Sequence, residues 1–359
     1  MNLSYKPAMP GTRFPILIIG TGGIVKDAHL PAYRMAGFPV WGLYNRTRER
    51  AASLAQEYGI AHVFDDLGAA LAAAPADVIY DLALPASMFA GTLRKLPKGS
   101  HVLIQKPMGE NLAQAREVRA VCRERGLHAA INCQLRFAPF VMAARDLIRQ
   151  GVIGDLIDME MRLTTMTPWH LFPFLNGLPR MEIVYHSVHY VDLFRSFLGE
   201  PRSVHARTCA HPALPELASV SSAILLDYPD PARATITTNH MHRFGARHQE
   251  SYLKWEGTGG AIKAGIGLLV NYPQGAGDTF EYCQLDELGR PGEWHSEQLE
   301  GSWFPEAFIG SMAQVQRHQE GSLAKMSTDV ADVIHTMEVV EAAYASSERG
   351  GVSPKDFTV

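Results

Sequence analysis

The chain has 359 residues, 47% of them hydrophobic and 19% charged, with a formal net charge of −4. That length exceeds one typical core and fits two domains, and the composition is that of a globular protein able to bury its apolar residues. The charge balance excludes a general attraction to nucleic acid or anionic membrane. Residues 1–12 lack the apolar core of a signal peptide and no run approaches the ~18 apolar residues of a membrane span, so a cytoplasmic protein is expected.

After a tail over 1–12, residues 13–135 alternate short apolar runs with helical patterns, the grammar of βα units and a parallel sheet. The runs are FPILIIG (14–20), VWGLY (40–44), HVF (62–64), DVIYDLAL (77–84), HVLIQ (101–105) and HAAINCQ (128–134). Between them lie helix-like segments such as TRERAASLAQEYG and NLAQAREVRAVCRERG, the second ending in a glycine suited to a C-cap.

The first run ends in Gly20-Thr21-Gly22-Gly23, directly before a helical pattern. Glycines there permit a tight turn and let backbone N–H groups approach a pyrophosphate at a helix N-terminus. The third glycine of the dinucleotide fingerprint is missing, and Val25 stands in its place. At the end of the second run an NAD enzyme usually carries an acid for the ribose 2′-hydroxyl, whereas this chain has Asn45-Arg46-Thr47. Without that carboxylate nothing repels a 2′-phosphate, and Arg46, with Arg48 nearby, can pair with it. Asn45 can equally bond a free ribose. The cofactor is therefore read as NADP or NAD, with NADP slightly favoured.

The fifth run leads straight into Gln105-Lys106-Pro107. At the carboxyl end of a buried parallel strand, Lys106 points into the crevice where such sheets bind ligands.

A second domain for substrate binding and oligomerisation is expected over 136–359, and after residue 150 the grammar changes. LIDMEMRLTT (156–165) alternates Ile157, Met159, Met161 and Leu163 with Asp158, Glu160, Arg162 and Thr164, which predicts a half-covered antiparallel sheet. Further strands are expected at SVHARTC, SSAILLDY, RATITTNHM, SYLKWEG and FEYCQL, with a turn at GTGG (257–260). Helical patterns return at 305–320 and 328–347, the latter packing back on the body. The fold class expected is α/β: an N-terminal Rossmann parallel sheet plus a C-terminal α+β domain with an open, mostly antiparallel sheet.

Within PRMEIVYHSVHYVDLFRSFLGEP (179–201), Val184, Val188, Val191, Phe194 and Leu198 form one helical stripe. Glu182, Tyr185, His189 and Asp192 fall roughly opposite, as either a solvated surface or the polar wall of a catalytic cleft. A metal site on His186, His189 and Asp192 is set aside, because on a 3.6-residue period His186 and Asp192 diverge. The loop TPWHLFPFLNGLPR (167–180) is read either as rigid and self-packed or as a substrate loop. In the second case Trp169 stacks on a sugar face and His170 and Arg180 bind hydroxyl or carboxylate groups. His240, His242 and His248 are taken as structural or exposed, with His242 the one to watch. Cys122, Cys133, Cys209 and Cys283 show no zinc or CxxC spacing and are read as reduced thiols.

Taken together, Gly20-Thr21-Gly22-Gly23 with His29-Leu30-Pro31-Ala32, Gln105-Lys106-Pro107, Asn132 through Arg136-Phe137, and His189 with Asp192 resemble the glucose-fructose oxidoreductase, inositol dehydrogenase and rhizopine-catabolism dehydrogenase family (Gfo/Idh/MocA). The resemblance runs over almost the whole chain in order. It implies an NAD(P)-dependent dehydrogenase acting on a sugar, sugar acid or polyol, and a homodimer or homotetramer formed through the outer face of the C-terminal sheet, covering apolar surface there. It assigns catalytic roles to Lys106 and His189, with Tyr185 beside them. Cofactor contacts fall on Gly20, Thr21, Gly22, Gly23, Ile24, Asn45, Arg46, Leu84, Pro85, Gln105, Lys106 and Asn132, and substrate contacts on Arg136, Trp169, His170, Arg180 and His186. No metal is implied.

Two departures matter. Gln105 replaces the family's usual glutamate, and Tyr185 stands four before the histidine where many members carry aspartate. In the expected chemistry Lys106 stabilises a developing alkoxide and His189, with an ordinary histidine pKa of ~6.5, accepts the hydroxyl proton. Two other readings are a catalytically silent NAD(P)-binding regulator, which has no need of both Lys106 and His189, and a redox-assisted glycosidase, which releases an aglycone without net cofactor reduction.

Overall fold

The computed structural model describes residues 3–353. They divide into two compact units: the chain up to Arg149 together with Gln298–Met337, and Gln150–Glu297 together with the chain from Glu338. Residues 136–149 and 298–337 thus group with the first unit.

The first unit is built on a six-stranded sheet, β1 (Ile16–Ile19), β2 (Val40–Tyr44), β3 (His62–Phe64), β4 (Ile79–Leu82), β5 (His101–Gln105) and β6 (His128–Asn132). Its order is β3-β2-β1-β4-β5-β6 and every pairing is parallel, the doubly wound arrangement of a Rossmann fold. Strands covered on both faces must be apolar throughout. This is why Ile16–Ile19 are fully buried and read as an unbroken apolar run. The helix Leu112–Arg125 shows how local sequence fixes an element. Asn111 caps it by accepting from the Gln114 N–H at 3.0 Å, and Gly126 ends it at φ +63°, a conformation that favours glycine. The helix Ala307–Gln319 completes the core by burying Phe308, Met312 and Val315 in the same cluster as Ile16, Ile18 and Leu43.

The second unit carries an eight-stranded sheet, β7 (Leu156–Thr164), β8 (Ser203–Cys209), β9 (Ser221–Asp227), β10 (Arg233–Asn239), β11 (Glu250–Gly257), β12 (Gly260–Gly265), β13 (Thr279–Gln284) and β14 (His295–Ser296). The order is β14-β13-β12-β11-β7-β10-β9-β8, and only β7 with β10 pairs in parallel. The alternation in β7 works as expected: Met159, Met161 and Leu163 are buried, while Asp158, Glu160 and Arg162 are half-buried. The outer face departs from expectation. The resemblance implies apolar surface there, yet this face carries a polar lattice. Arg233 pairs with Asp158 at 2.7 Å, Arg162 with Glu250 at 3.2 Å and Lys254 with Glu256 at 3.0 Å, and the Tyr252 hydroxyl donates to Glu160 at 2.7 Å. Neighbours of opposite sign, across strands for Arg233–Asp158 and Arg162–Glu250 and along β11 for Lys254–Glu256, pair with each other here.

Candidate active site

In the first unit the glycine turn sits at the carboxyl end of β1. Gly20 has φ +105°, and a Cβ there would stand 2.3 Å from the Ala83 carbonyl oxygen, so the close approach of the strand ends after β1 and β4 admits only glycine. Gly22 has nothing within 4 Å of its would-be Cβ, and Gly23 meets only Asp27 Oδ2 at 3.8 Å. The backbone at Gly22 and Gly23 therefore borders open space. Val25, in place of the fingerprint's third glycine, is fully buried in the core, and Ile24 packs beside it.

Around this turn lie buried polar atoms with no hydrogen-bond partner among the described residues: Thr21 Oγ1, Asn132 Oδ1 and Asp81 Oδ1. Orphaned buried oxygens at strand ends are costly unless a ligand or water completes them. Together with the open faces of Gly22 and Gly23, they fit a dinucleotide. Leu84 and Pro85 follow β4, and the Leu84 side chain lies 3.2 Å from where a Gly20 Cβ would be. Asn45 Nδ2 donates to the Thr47 carbonyl at 2.9 Å, and Arg46 is exposed. Arg48 is occupied elsewhere, donating to the Val63 carbonyl at 3.0 Å.

Gln105 is buried at the end of β5, where its Oε1 accepts the Lys106 N–H at 3.2 Å. The neutral amide thus orients the lysine backbone, where the family's glutamate would supply a charge. Lys106 is half-buried. Burial, only partly offset by Cys133, lowers its ammonium pKa to about 8. Arg136 is tied into the first unit. Its guanidinium is buried and donates to the Ser327 carbonyl at 2.8 Å and to Asp332 at 2.7 Å.

One buried group escaped the sequence reading. Asp81 Oδ2 receives hydrogen bonds from the Tyr33 hydroxyl and His29 Nδ1, both at 2.7 Å, and Asn132 Nδ2 lies 3.4 Å from His29 Nε2. All four residues are buried. Burial and the Asp81 carboxylate push the Tyr33 phenol well above its usual range. The available signal was an aspartate inside an apolar strand and a His–Tyr pair at i, i+4 on a helix.

In the second unit the segment 182–198 is not a surface helix with a wet polar face. Glu182 is fully buried, and His189, Asp192 and Arg195 are buried as well. The backbone makes a π-helical turn over Ile183–Ser187, with the Val188 N–H reaching back to the Ile183 carbonyl, before the α-helix Val188–Leu198. One extra residue in a turn rotates everything after it by roughly 100°. The i, i+3, i+7 register linking Glu182 and Tyr185 to His189 is therefore broken.

Glu182 anchors a buried network. It accepts from Ser187 Oγ at 2.9 Å, Thr238 Oγ1 at 2.8 Å and Ser222 Oγ, and His240 Nε2 stands 3.4 Å away. Burial alone raises its carboxyl, but His240 and the Ser222 and Thr238 hydroxyls outweigh that and hold it below its usual value. His240 Nδ1 in turn lies 2.9 Å from Thr167 Oγ1, and its ring packs on His186 with centroids 4.5 Å apart. His240 is thus structural, as expected, and a centre of the network.

The loop reading divides. Trp169 is buried among Leu175, Met181, Leu217, Val220 and Met241, its indole against His186 and His240. It belongs to the loop's own packed cluster. Arg180 is likewise committed: Nη1 donates to both Glu341 oxygens at 2.9 and 2.8 Å, and the guanidinium lies over Tyr344. His170 is exposed, while Tyr185 and His186 are half-buried, with the Tyr185 ring 6.2 Å from that of Phe174.

A Rossmann sheet with an open glycine turn, orphaned polar atoms beside it and a half-buried lysine at the end of β5 is the site of a nucleotide-dependent oxidoreductase. The comparisons agree. Residues 14–133 match the description "Oxidoreductase family, NAD-binding Rossmann fold", and residues 141–263 match the "GFO/IDH/MocA C-terminal domain". The chain belongs to the Gfo/Idh/MocA family of oxidoreductases. It is 23% identical over 347 residues to a D-apiose dehydrogenase of Paraburkholderia graminis, covering 94% of this chain and 88% of that one. To a D-glucoside 3-dehydrogenase of Escherichia coli it is 28% identical over 212 residues, which span 56% of this chain and only 60% of the relative's length. In fold it matches an aldose-aldose oxidoreductase of Caulobacter crescentus with a TM-score of 0.77 at 17% identity, covering 95% of this chain and 99% of that one. Among the described residues no helix is long and apolar enough to cross a membrane.

Proposed function

We propose that the protein is an NAD(P)-dependent dehydrogenase oxidising a hydroxyl of a sugar, sugar acid or polyol, or running the reverse reduction. The observation that carries this reading is Lys106: an ammonium half-buried at the carboxyl end of β5, weakened to about 8 by burial, on the same strand ends as the unpartnered Thr21 and Asn132 oxygens. The nicotinamide cofactor, when bound, supplies the hydride acceptor or donor. Gly20, Thr21, Gly22, Gly23, Ile24, Asn45, Leu84, Pro85, Gln105 and Asn132 would hold it, and exposed Arg46 favours NADP by offering a cation to the 2′-phosphate.

Lys106 acts below pH ~8 as a fixed cation for the alkoxide that develops as the hydroxyl proton leaves, a stabilisation typically worth roughly 10²- to 10³-fold in rate. His189 accepts that proton, and Tyr185, His186 and His170 orient the substrate. The names of the relatives, among them apiose, glucoside and xylose dehydrogenases, support a carbohydrate as substrate. An assembly of copies would use the ion-paired outer face of the second sheet and be polar in character, and a cytoplasmic setting suits the free thiols of Cys122, Cys133, Cys209 and Cys283.

The deciding experiment is a panel of aldoses, polyols and sugar acids assayed with each cofactor by the absorbance of reduced nicotinamide. Turnover of at least one carbohydrate is expected. Cofactor binding without turnover of any would mark a regulator, and aglycone release without net cofactor reduction would mark a glycosidase.

A further inference from the structure

β5 and β6 each begin with a histidine, His101 and His128, at the edge of the first sheet opposite the strand ends that carry Lys106 and Asn132. His318, in the last turn of the helix Ala307–Gln319, joins them. His101 Nε2 lies 2.9 Å from His318 Nδ1. The His101 and His128 rings stack with centroids 4.6 Å apart, and those of His128 and His318 are 5.0 Å apart. One ring nitrogen from each residue falls within 4.8 Å of the other two. His101 and His318 are half-buried and His128 is exposed, so the cluster is held from within and open to solvent on one side.

Ring packing and one hydrogen bond hold the three imidazoles together while they are neutral, and protonation of any one of them would repel the others. Neutral imidazoles with converging nitrogens are, however, the ligand set of a transition metal. At a Zn–N distance of about 2.0–2.1 Å, tetrahedral geometry separates ligand nitrogens by roughly 3.3 Å. The nitrogens here already bracket that value, and side-chain rotation can supply the rest. The carbonyl end of the helix bearing His318 adds a favourable field for a cation.

We propose that His101, His128 and His318 form a binding site for an imidazole-seeking divalent transition-metal ion, with Zn²⁺ as the representative and solvent in the fourth position. Nothing in the dehydrogenase reading uses these residues. The ion acts as a clasp: His101 and His318 are 217 residues apart in the chain, and their common metal pins the helix that supplies Phe308, Met312 and Val315 to the edge of the sheet. Such an ion stabilises the fold in proportion to its occupancy.

The test uses the full chain after exhaustive chelation, titrated with ZnCl₂ by calorimetry and followed by thermal unfolding. One ion per chain at micromolar or tighter affinity, with a rise in Tm, is expected. Mg²⁺, which prefers oxygen ligands, should leave Tm unchanged. His128→Gln changes an exposed side chain and so leaves folding intact, as circular dichroism would verify. It and His318→Gln should each weaken Zn²⁺ at least ~10-fold and abolish the Tm response. Absence of stoichiometric Zn²⁺ binding, or equal affinity in wild type and both variants, overturns the site.

Discussion

Replacing Lys106 by methionine should stop turnover and stabilise the protein at once. The ammonium pKa falls from 10.5 to about 8 through burial. At 1.36 kcal/mol per pH unit, that is on the order of 3 kcal/mol by which the folded state disfavours the charged form. The sign follows from proton counting. Between pH 8 and 10.5 the unfolded lysine keeps a proton that the folded one has lost, so wild-type stability rises through that window. Below pH 8 the full cost is present. Methionine removes it, so Lys106→Met should exceed wild type by up to ~3 kcal/mol at pH 7, with most of that gap gone by pH 10. Any packing gained by the methionine is independent of pH and leaves that narrowing intact. Urea unfolding of both proteins at the two pH values measures it, while kcat should drop at least ~100-fold with cofactor affinity largely kept. A gap that does not change with pH refutes the burial argument, and a near wild-type kcat removes Lys106 from the mechanism.

Arg46→Ala should weaken NADP by roughly 1.5–3 kcal/mol and NAD little, a contrast read from the two dissociation constants; equal losses would reverse the cofactor preference. His189→Ala should remove the acidic limb of the pH profile for oxidation, because a neutral imidazole must take the proton, whereas Tyr185→Phe should keep that limb and mainly raise KM. Loss of kcat in Tyr185→Phe with the limb intact in His189→Ala would exchange their roles. Glu182→Ala should cost about 3–5 kcal/mol of stability by chemical denaturation, since it strips a buried network of its one carboxylate. Because that carboxyl titrates below its usual value in the fold, its contribution should be present above the unfolded value and fade as pH falls through the folded one.

The strands of the first sheet were legible because burial on both faces writes itself into sequence as an apolar run. β5 falls where HVLIQ placed it and is buried from Val102 to Gln105, while β2 and the edge strand β3, only partly buried, also fall where VWGLY and HVF placed them. β12 was not, because Gly260–Gly265 has glycines at both ends and little side chain to alternate, and the two residues of β14 carry no pattern at all. The burial of the polar residues was not legible, for one physical reason. The partners that bury them are remote in sequence: Ser222 and Thr238 lie 40 and 56 residues from Glu182, Glu341 161 from Arg180, and Asp332 196 from Arg136. Local periodicity sees a polar side chain and infers water, but cannot see the remote donor or acceptor that replaces it. The helical turn at Ile183–Ser187 adds a second failure, since its extra residue breaks the period on which the face was drawn.

The chain's route through its two units sets an order of events on the ribosome. The first sheet is fully synthesised once Asn132 has emerged, yet Phe308, Met312, Val315 and Met326, which belong to the same buried cluster as Ile16, Ile18 and Tyr33, come more than a hundred and fifty residues later. Until then the nascent sheet has an uncovered apolar face, and the whole intervening unit must be made before the cover arrives. A fragment ending at Arg149 would therefore hold every strand of the nucleotide fold and still lack part of its core, a state prone to chaperone capture rather than to autonomous folding.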